Sequence, residues 1–560
     1  MGNQISAVAD PAVTTLQALQ HQALALTTHP LVQDVLEKMQ ARKVSFITAS
    51  VAALITVWVA KEAVHYALVS RKLLRQGVPG TGAAHAVLPA LAGDRRGVEL
   101  VPLLHGEEGL DGWNRADGAP LIFLSRFVLG LPKVTIADPK ALHTILSANS
   151  YRFVKPETSK RVVGVATGDA SLVIIEGEMH KRHRRIINPL FNAKTLKPLV
   201  TPMIAALDGF YALVDQSAPA STPLPFHELS SQLTLNVIGR TAMNYDFNAL
   251  TPQGSPVSRA YHNANRAFQL SLWFLLSLQF PNTIGRIPTR NKSVLTKEFG
   301  VIEEAVKDML RNAAKDPDGT TLIHELLRQN ANNALTEHEL LCEIRTFLAA
   351  GHETTSSTLA SCVLLLAQYP EIQQELVDEL ATVDLEDYDT LSKLPRLNAV
   401  INETLRLFPA AFLTFRNVGP GGATVPTTAF GPLELPEGFR IEVPIRGIHC
   451  DRHIWGDDAL TWNPRRWDTI DLVHGLNEVP AQRIVNGRRQ IGTYDFLPFL
   501  AGPRACIGRQ FAVMELRLFV AGIVKLYKLT TDVSIGGEEL HCAVTLRMTN
   551  AWVRFTRRDE

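Results

Sequence analysis

Neither sign of charge prevails in this chain: 56 lysines and arginines stand against 55 aspartates and glutamates, a net charge of +1. A near-neutral chain has no global field to steer nucleic acid, so no nucleic-acid partner is expected and any basic function must be local. Cysteine is scarce. Five (Cys342, Cys362, Cys450, Cys506, Cys542) scattered over 560 residues are too few for a disulfide framework, and no CxxC pair or Cys/His cluster has zinc spacing. They read as reduced, mostly buried thiols of a cytosol-facing protein, with one exception argued below. Internal repeats, low-complexity tracts and long linkers are also missing. With 46% hydrophobic and 20% charged residues, disorder and collagen-like structure are excluded. Length alone admits about three or four domains, yet from about residue 95 the chain reads as one large unit.

One uncharged run stands out, VSFITASVAALITVWVA at 44–60, with Arg42-Lys43 before it and Lys61-Glu62 after it. It would span about 26 Å as a helix, enough to cross a thin bilayer. The expected order is therefore a leader (1–43), a transmembrane anchor (44–60), a linker (61–95) and a catalytic domain (96–560). A buried core helix is the alternative reading of 44–60. A cleaved signal peptide fits poorly because the run begins so far from Met1, and a mitochondrial transit peptide fits poorly because the leader has almost no arginine. Basic residues on the two flanks lean slightly toward a cytosolic C-terminal body. The start Met1-Gly2-Asn3-Gln4-Ile5-Ser6 also fits the N-myristoylation pattern, a short and often accidental one.

Helical periodicity dominates the body, at 233–240, 297–312, 337–369, 371–381 and 394–407, while β-like pieces are confined to 134–136, 439–443 and 549–555. The expected class is mainly α with small β-sheets.

The exceptional cysteine lies in Phe499-Leu500-Ala501-Gly502-Pro503-Arg504-Ala505-Cys506-Ile507-Gly508, just before a helical run. Gly502 and Gly508 allow a tight loop whose amides approach the sulfur, and the next helix points its positive end there; both favour thiolate. A thiolate in an apolar loop suits one axial bond to haem iron. The segment resembles the cysteine-ligand loop of the cytochrome P450 family, FxxGxRxCxG, with all five fixed residues present.

Further motifs follow the family's order over roughly 130–555. Glu403 and Arg406 share one helix face, and Asn463-Pro464-Arg465-Arg466-Trp467 resembles the family's PxRF/W segment. The resemblance implies a buried triad of Glu403, Arg406 and Arg466 that serves folding and haem retention. Ala350-Gly351-His352-Glu353-Thr354-Thr355 matches [AG]Gx[DE]TT. It implies a long central helix over the haem face opposite Cys506, where Gly351 makes room for oxygen and Glu353 and Thr354 govern proton delivery. A threonine bonding back to the preceding turn is the bland alternative. Gly177-Glu178-Met179-His180-Lys181-Arg182-His183-Arg184-Arg185 resembles WxxxRR, with His180 in the tryptophan's place. Read plainly, it is a solvated basic helix face. The resemblance assigns His180, Arg184, Arg416 and Arg504 to the haem propionates, and Cys506 to the iron of haem b.

By resemblance the chain is a membrane-anchored haem-thiolate monooxygenase of eukaryotic, fungal type, on the endoplasmic reticulum with its catalytic domain facing the cytosol. It would hydroxylate or epoxidise a lipophilic substrate in lipid or secondary metabolism. The chain runs 54 residues beyond Cys506, to position 560. Electrons are therefore expected from a separate NADPH-cytochrome P450 reductase, with cytochrome b5 as a further candidate partner, docking on outward residues such as Lys181 and Arg182. Pocket contacts are expected from 150–175, 268–280, Ala349-Ala350, 410–413 and Thr545-Leu546. An oxygen-independent isomerase or lyase on the same fold is the rival reading, and a non-catalytic haem- or lipid-binding membrane protein is another.

Overall fold

A computed structural model of the chain describes Gln76, residues 122–126, and residues 132–558 apart from 218–221, 252–253, 268–286, 288, 333, 429–430, 474–483, 486 and 543. The leader and anchor expected at 1–43 and 44–60, the linker expected at 61–95 apart from Gln76, and the pocket stretch at 268–280 lie outside these residues. Every described residue belongs to one compact unit, within Val69–Glu560.

The helices used below are α1 (Glu157–Thr167), α2 (Gly177–Ile187), α3 (Val200–Ser217), α4 (Phe226–Ile238), α5 (Arg290–Ala313), α6 (Glu337–Gln368), α7 (Pro370–Leu380), α8 (Pro395–Leu407) and α9 (Arg509–Leu526). The strands used below are β1 (Ile122–Arg126), β2 (Pro132–Ile136), β3 (Phe153–Val154), β4 (Leu224–Pro225), β5 (Thr414–Val418), β6 (Arg440–Val443), β7 (Tyr527–Thr530), β8 (Leu540–Cys542), β9 (Leu546–Met548) and β10 (Trp552–Arg557). All five expected helical segments are helices. The largest discrepancies are at the starts of α4 and α5, each seven residues earlier than expected (Phe226 against 233, Arg290 against 297), because the polar residues of their first turns hide the apolar period.

Helix α6 organises the body. Thr336 and Glu339 close a capping box at its start, and it is buried nearly all round from Leu340 to Leu366, which explains why its sequence shows no strong apolar stripe. Helices α4 and α9 pack against it. A Cβ on Gly351 would lie 2.8 Å from Ile238 Cδ1 of α4. The space that this glycine frees is thus taken by a neighbouring helix.

Strands β1-β2-β6-β5-β3 form one sheet, parallel only between β2 and β6. Pairing of Phe153 with Val418 brings the residues around β3 beside Arg416 on β5. A second sheet, β7-β10-β4, closes the C-terminus onto α4, and β8 and β9 make a hairpin. The helical stretch Ala193–Gln216 is long and apolar enough to cross a membrane by composition. Its Leu196, Leu199, Met203, Leu207 and Phe210 are buried in the core cluster instead, and core helices pass the same test.

Candidate active site

A cavity of about 580 Å³ lies between α6 and the loop that leads into α9, within the size range of cofactor and ligand sites. His180, Arg184, Thr354, Arg416, Arg504 and Cys506 all face it, although they come from four separate stretches of chain.

The loop below the cavity is tightly specified. Leu500 and Gly502 both take positive φ, 57° and 73°. A Cβ at Gly502 would meet the Leu146 carbonyl oxygen at 2.1 Å, so only glycine fits there. The Cys506 amide donates to the Phe499 carbonyl (2.8 Å), and Arg184 Nη1 donates to the Ala505 carbonyl (2.6 Å). Cys506 is open toward the cavity yet lies deep in protein, and burial pushes its thiol up. The Gly508 amide, Arg184 and Arg509 pull the other way. The loop amides and the helix end expected from the sequence are only the favourable part of the balance. In the polypeptide alone, desolvation outweighs them, so a cation bound at the sulfur must supply the rest of the thiolate's stabilisation.

At one side of the cavity, cations outnumber anions. Arg184, Arg416, Arg504 and Lys155 line it, and Glu176 is the carboxylate that meets them. Arg416 is buried and, among the described residues, donates to neutral groups, Thr414 Oγ1 (2.9 Å) and the Phe415 carbonyl (2.7 Å). Arg504 bonds the Phe153 carbonyl (2.7 Å) and Glu176. Its Nε is buried and has no hydrogen-bond partner among the described residues. Burial, then repulsion from Arg504, pushes Arg416 down to about 10. Lys155 falls to about 7, from burial first and despite Glu176, with Arg504 and Arg416 adding to the fall. His180 falls to about 3, from burial and then Lys155, Arg504 and Arg184, so its ring is neutral. Tyr151 hydroxyl holds its Nδ1 at 3.0 Å. Buried cations with unfilled donors call for anions. A planar group carrying two carboxylates, lying over an open cysteine, fits this donor set.

Across the cavity, α6 presents Ala350, Gly351, Thr354 and Thr355. Thr354 Oγ1 donates back to the Ala350 carbonyl (2.8 Å), which leaves its oxygen free to accept from the cavity side. Glu353 is not on the cavity wall. Its Oε1 accepts from Thr545 Oγ1 (3.1 Å) at the turn between β8 and β9. The two motif neighbours therefore face different surroundings, since adjacent helical residues point about 100° apart.

Behind the loop, Glu403, Arg406 and Arg466 meet in a buried cluster. Arg406 Nε and Nη2 lie 2.9 and 2.8 Å from the two Glu403 oxygens, and Arg466 Nε lies 3.1 Å from Oε1.

Several residues of this region carried no readable signal. Lys155, Tyr151 and Glu176 belong to no fixed motif, though a lysine before a proline in the 150–175 stretch could have been weighed as a cation. His449 is a second omission. Its Nε2 accepts from the Leu497 amide (2.8 Å) and its Nδ1 meets the Arg406 carbonyl (3.0 Å), so it joins the buried cluster to the cysteine loop. Of the expected pocket regions, most of 155–163, 172–174, Ala350 (not Ala349) and 410–413 line the cavity; at the hairpin it is Val544, not Thr545 or Leu546, that does so.

Comparison with known proteins agrees with this geometry. A cytochrome P450 family model matches residues 123–538. Cytochrome P450 monooxygenase 128 of Postia placenta is 28% identical over 452 residues, covering 72% of this chain and 78% of its own length. Cytochrome P450 monooxygenase FUM15 of Gibberella moniliformis is 28% identical over 454 residues (71% and 74%). Cytochrome P450 709B1 of Arabidopsis thaliana is 29% identical over 413 residues (71% and 74%).

Proposed function

The chain belongs to the cytochrome P450 family, whose cofactor is haem b on an axial cysteine thiolate, and from that premise we propose a monooxygenase that hydroxylates or epoxidises a lipophilic substrate. When bound, the haem supplies dioxygen activation, with thiolate donation favouring O–O cleavage. Cys506 is the residue that would hold the iron. Arg184, Arg416 and Arg504 would hold the propionates, with His180 donating from Nε2 and Lys155 added from the structure.

The observation that carries the reading is Thr354 facing the same cavity as Cys506. Its hydroxyl is anchored at the Ala350 carbonyl and can accept and order a proton donor at Oγ1. Glu353, one residue earlier, would connect that point outward through Thr545. Val162, Val163, Leu172, Ile174, Phe412 and Leu413 give the wall an apolar character, which excludes bulk water and suits a lipophilic substrate. Lipid or secondary metabolism is the corresponding setting.

Electrons would arrive from a separate NADPH-dependent reductase. The exposed Lys181, Arg182 and Arg185 of α2 support an acidic docking partner, although Lys181 and Arg182 are also paired internally with Glu178 and Glu339. The uncharged run at 44–60 supports single-pass anchoring at the endoplasmic reticulum, catalytic unit in the cytosol.

Thr354→Ala tests the assignment. Reductase-driven oxygen consumption should persist while product falls by at least about tenfold and hydrogen peroxide takes up the difference. The fall is smaller than the roughly 10²–10⁴-fold of a lost positioned acid, because water can enter the vacated place. An unchanged ratio of product to oxygen would count against the role assigned to Thr354, and product formed without oxygen or reductase would favour the isomerase or lyase reading. For the cation cluster, Arg416→Leu should speed haem transfer to an acceptor apoprotein by about 10–100-fold, the scale of one charged hydrogen bond. An unaltered transfer rate would remove Arg416 from the propionate site.

A further inference from the structure

Away from the cavity, on the first turns of α6, three metal-ligating side chains converge. His338 and Cys342 are four residues apart and share a helix face. Asp169 arrives from the turn that follows α1. His338 Nε2 lies 2.6 Å from Asp169 Oδ1. Cys342 Sγ lies 3.7 Å from that nitrogen and 4.0 Å from that oxygen. The sulfur is buried while the other two groups are largely exposed, so the cluster is a shallow cup with a thiol at its floor. The fold is shaped around that sulfur. Gly168 crosses it at φ +84°, and a Cβ there would stand 2.5 Å from Sγ. The Ala170 amide donates to it as well. An exposed histidine–aspartate pair contributes little to stability by itself, which gives the arrangement no other strong reason.

We propose that Asp169, His338 and Cys342 form a binding site for a divalent ion of the zinc class. A thiolate, an imidazole and a carboxylate are the donors that such an ion prefers, with water as a fourth ligand. Tetrahedral coordination with bonds of about 2.0–2.3 Å places donor atoms about 3.3–3.6 Å apart. The two sulfur separations need to contract by only a few tenths of an ångström. The histidine–aspartate contact must open by about 0.7 Å on the same geometry, a motion available to two exposed side chains. On binding, the thiol releases its proton to solvent and His338 ligates through Nε2 as the neutral ring. The ion would tie the turn at 168–170 to α6. Two residues further on, the Leu172 amide donates to Glu343 Oε1 of α6 (2.8 Å), and 172–174 form cavity wall. Metal binding therefore stiffens that wall; only this consequence, not the site itself, rests on the function proposed above.

The test uses full-length, haem-loaded protein, in which the cofactor keeps Cys506 engaged. Zinc affinity is measured by competition with a fluorescent indicator, and the zinc-loaded protein is studied by Zn K-edge X-ray absorption. We expect one zinc per chain and one sulfur neighbour at about 2.3 Å. Asp169→Asn and His338→Gln should each weaken binding at least about tenfold without altering the reduced carbon-monoxide spectrum. Cys342→Ala should remove the sulfur neighbour; because its site is buried, the two exposed variants carry the test if it fails to fold. A zinc shell without sulfur, or equal affinity in wild type and both exposed variants, would mean adventitious surface zinc and overturn the proposal.

Discussion

Replacing Cys506 by alanine should abolish the strongly red-shifted Soret band of the reduced, carbon-monoxide-bound protein and bring turnover to background. The loop around Cys506 is held by backbone contacts that do not involve the sulfur: the Cys506 amide to Phe499, Arg184 to Ala505, and the left-handed turn at Gly502. Alanine should therefore leave the fold and the cation cluster standing while removing the iron's ligand. Cys506→His sharpens the result. It offers a neutral nitrogen in place of a thiolate, so haem can stay bound while the red shift and the oxygen chemistry that depends on thiolate donation are lost. A red-shifted band that survives Cys506→Ala in folded, haem-containing protein would refute the ligand assignment. Because burial disfavours the free thiolate here, apoprotein should also react slowly with thiol reagents at neutral pH.

Arg406→Met should destabilise the protein by about 3–5 kcal/mol, the scale of a buried pair broken from one side. Glu403 is fully buried. It accepts hydrogen bonds from Arg406 Nε and Nη2, Arg466 Nε, the Asn463 amide (3.0 Å) and Trp467 Nε1 (3.1 Å). Without Arg406, its charge would stay in the interior with half of its neutralisation gone. Arg406 also donates to the carbonyls of His449 and Ala459, both at 2.6 Å. The damage should spread through His449 to Leu497 and the cysteine loop, so haem content falls along with the denaturation midpoint. His449 is held neutral, its imidazole pushed down to about 3 by burial and by Arg406, as an acceptor for the Leu497 amide must be. The double variant Glu403→Gln/Arg406→Met should lose less than the two single losses added, since it leaves no unpaired charge. A loss under about 1 kcal/mol in Arg406→Met, typical of exposed pairs, would show that the cluster carries little of the fold.

The family and its central chemistry were legible because they reside in short, local patterns. The cysteine loop's motif fills ten consecutive residues, with a positive φ at Gly502 to make its turn, and the pairing of Glu403 with Arg406 needs only helical spacing. The five long helices were legible for the same reason, since a period of 3.6 is a property of neighbours in sequence. What was read along the chain thus amounts to fold class, ligand and motif order. Contacts that join distant stretches could not be read that way. The orientation of Glu353 depends on Thr545, 192 residues away. The thiol's resistance to ionisation depends on how much protein surrounds it, which no loop sequence reports. Lys155 enters the cation cluster because β3 pairs with β5, and His449 matters because it stands between Arg406 and Leu497. The cysteine spacing likewise ruled out a zinc motif, yet Asp169 reaches His338 and Cys342 from 169 and 173 residues away. Local backbone and helix geometry wrote the first set into the sequence; packing across the chain, where desolvation and charge are decided, belonged to the tertiary structure alone.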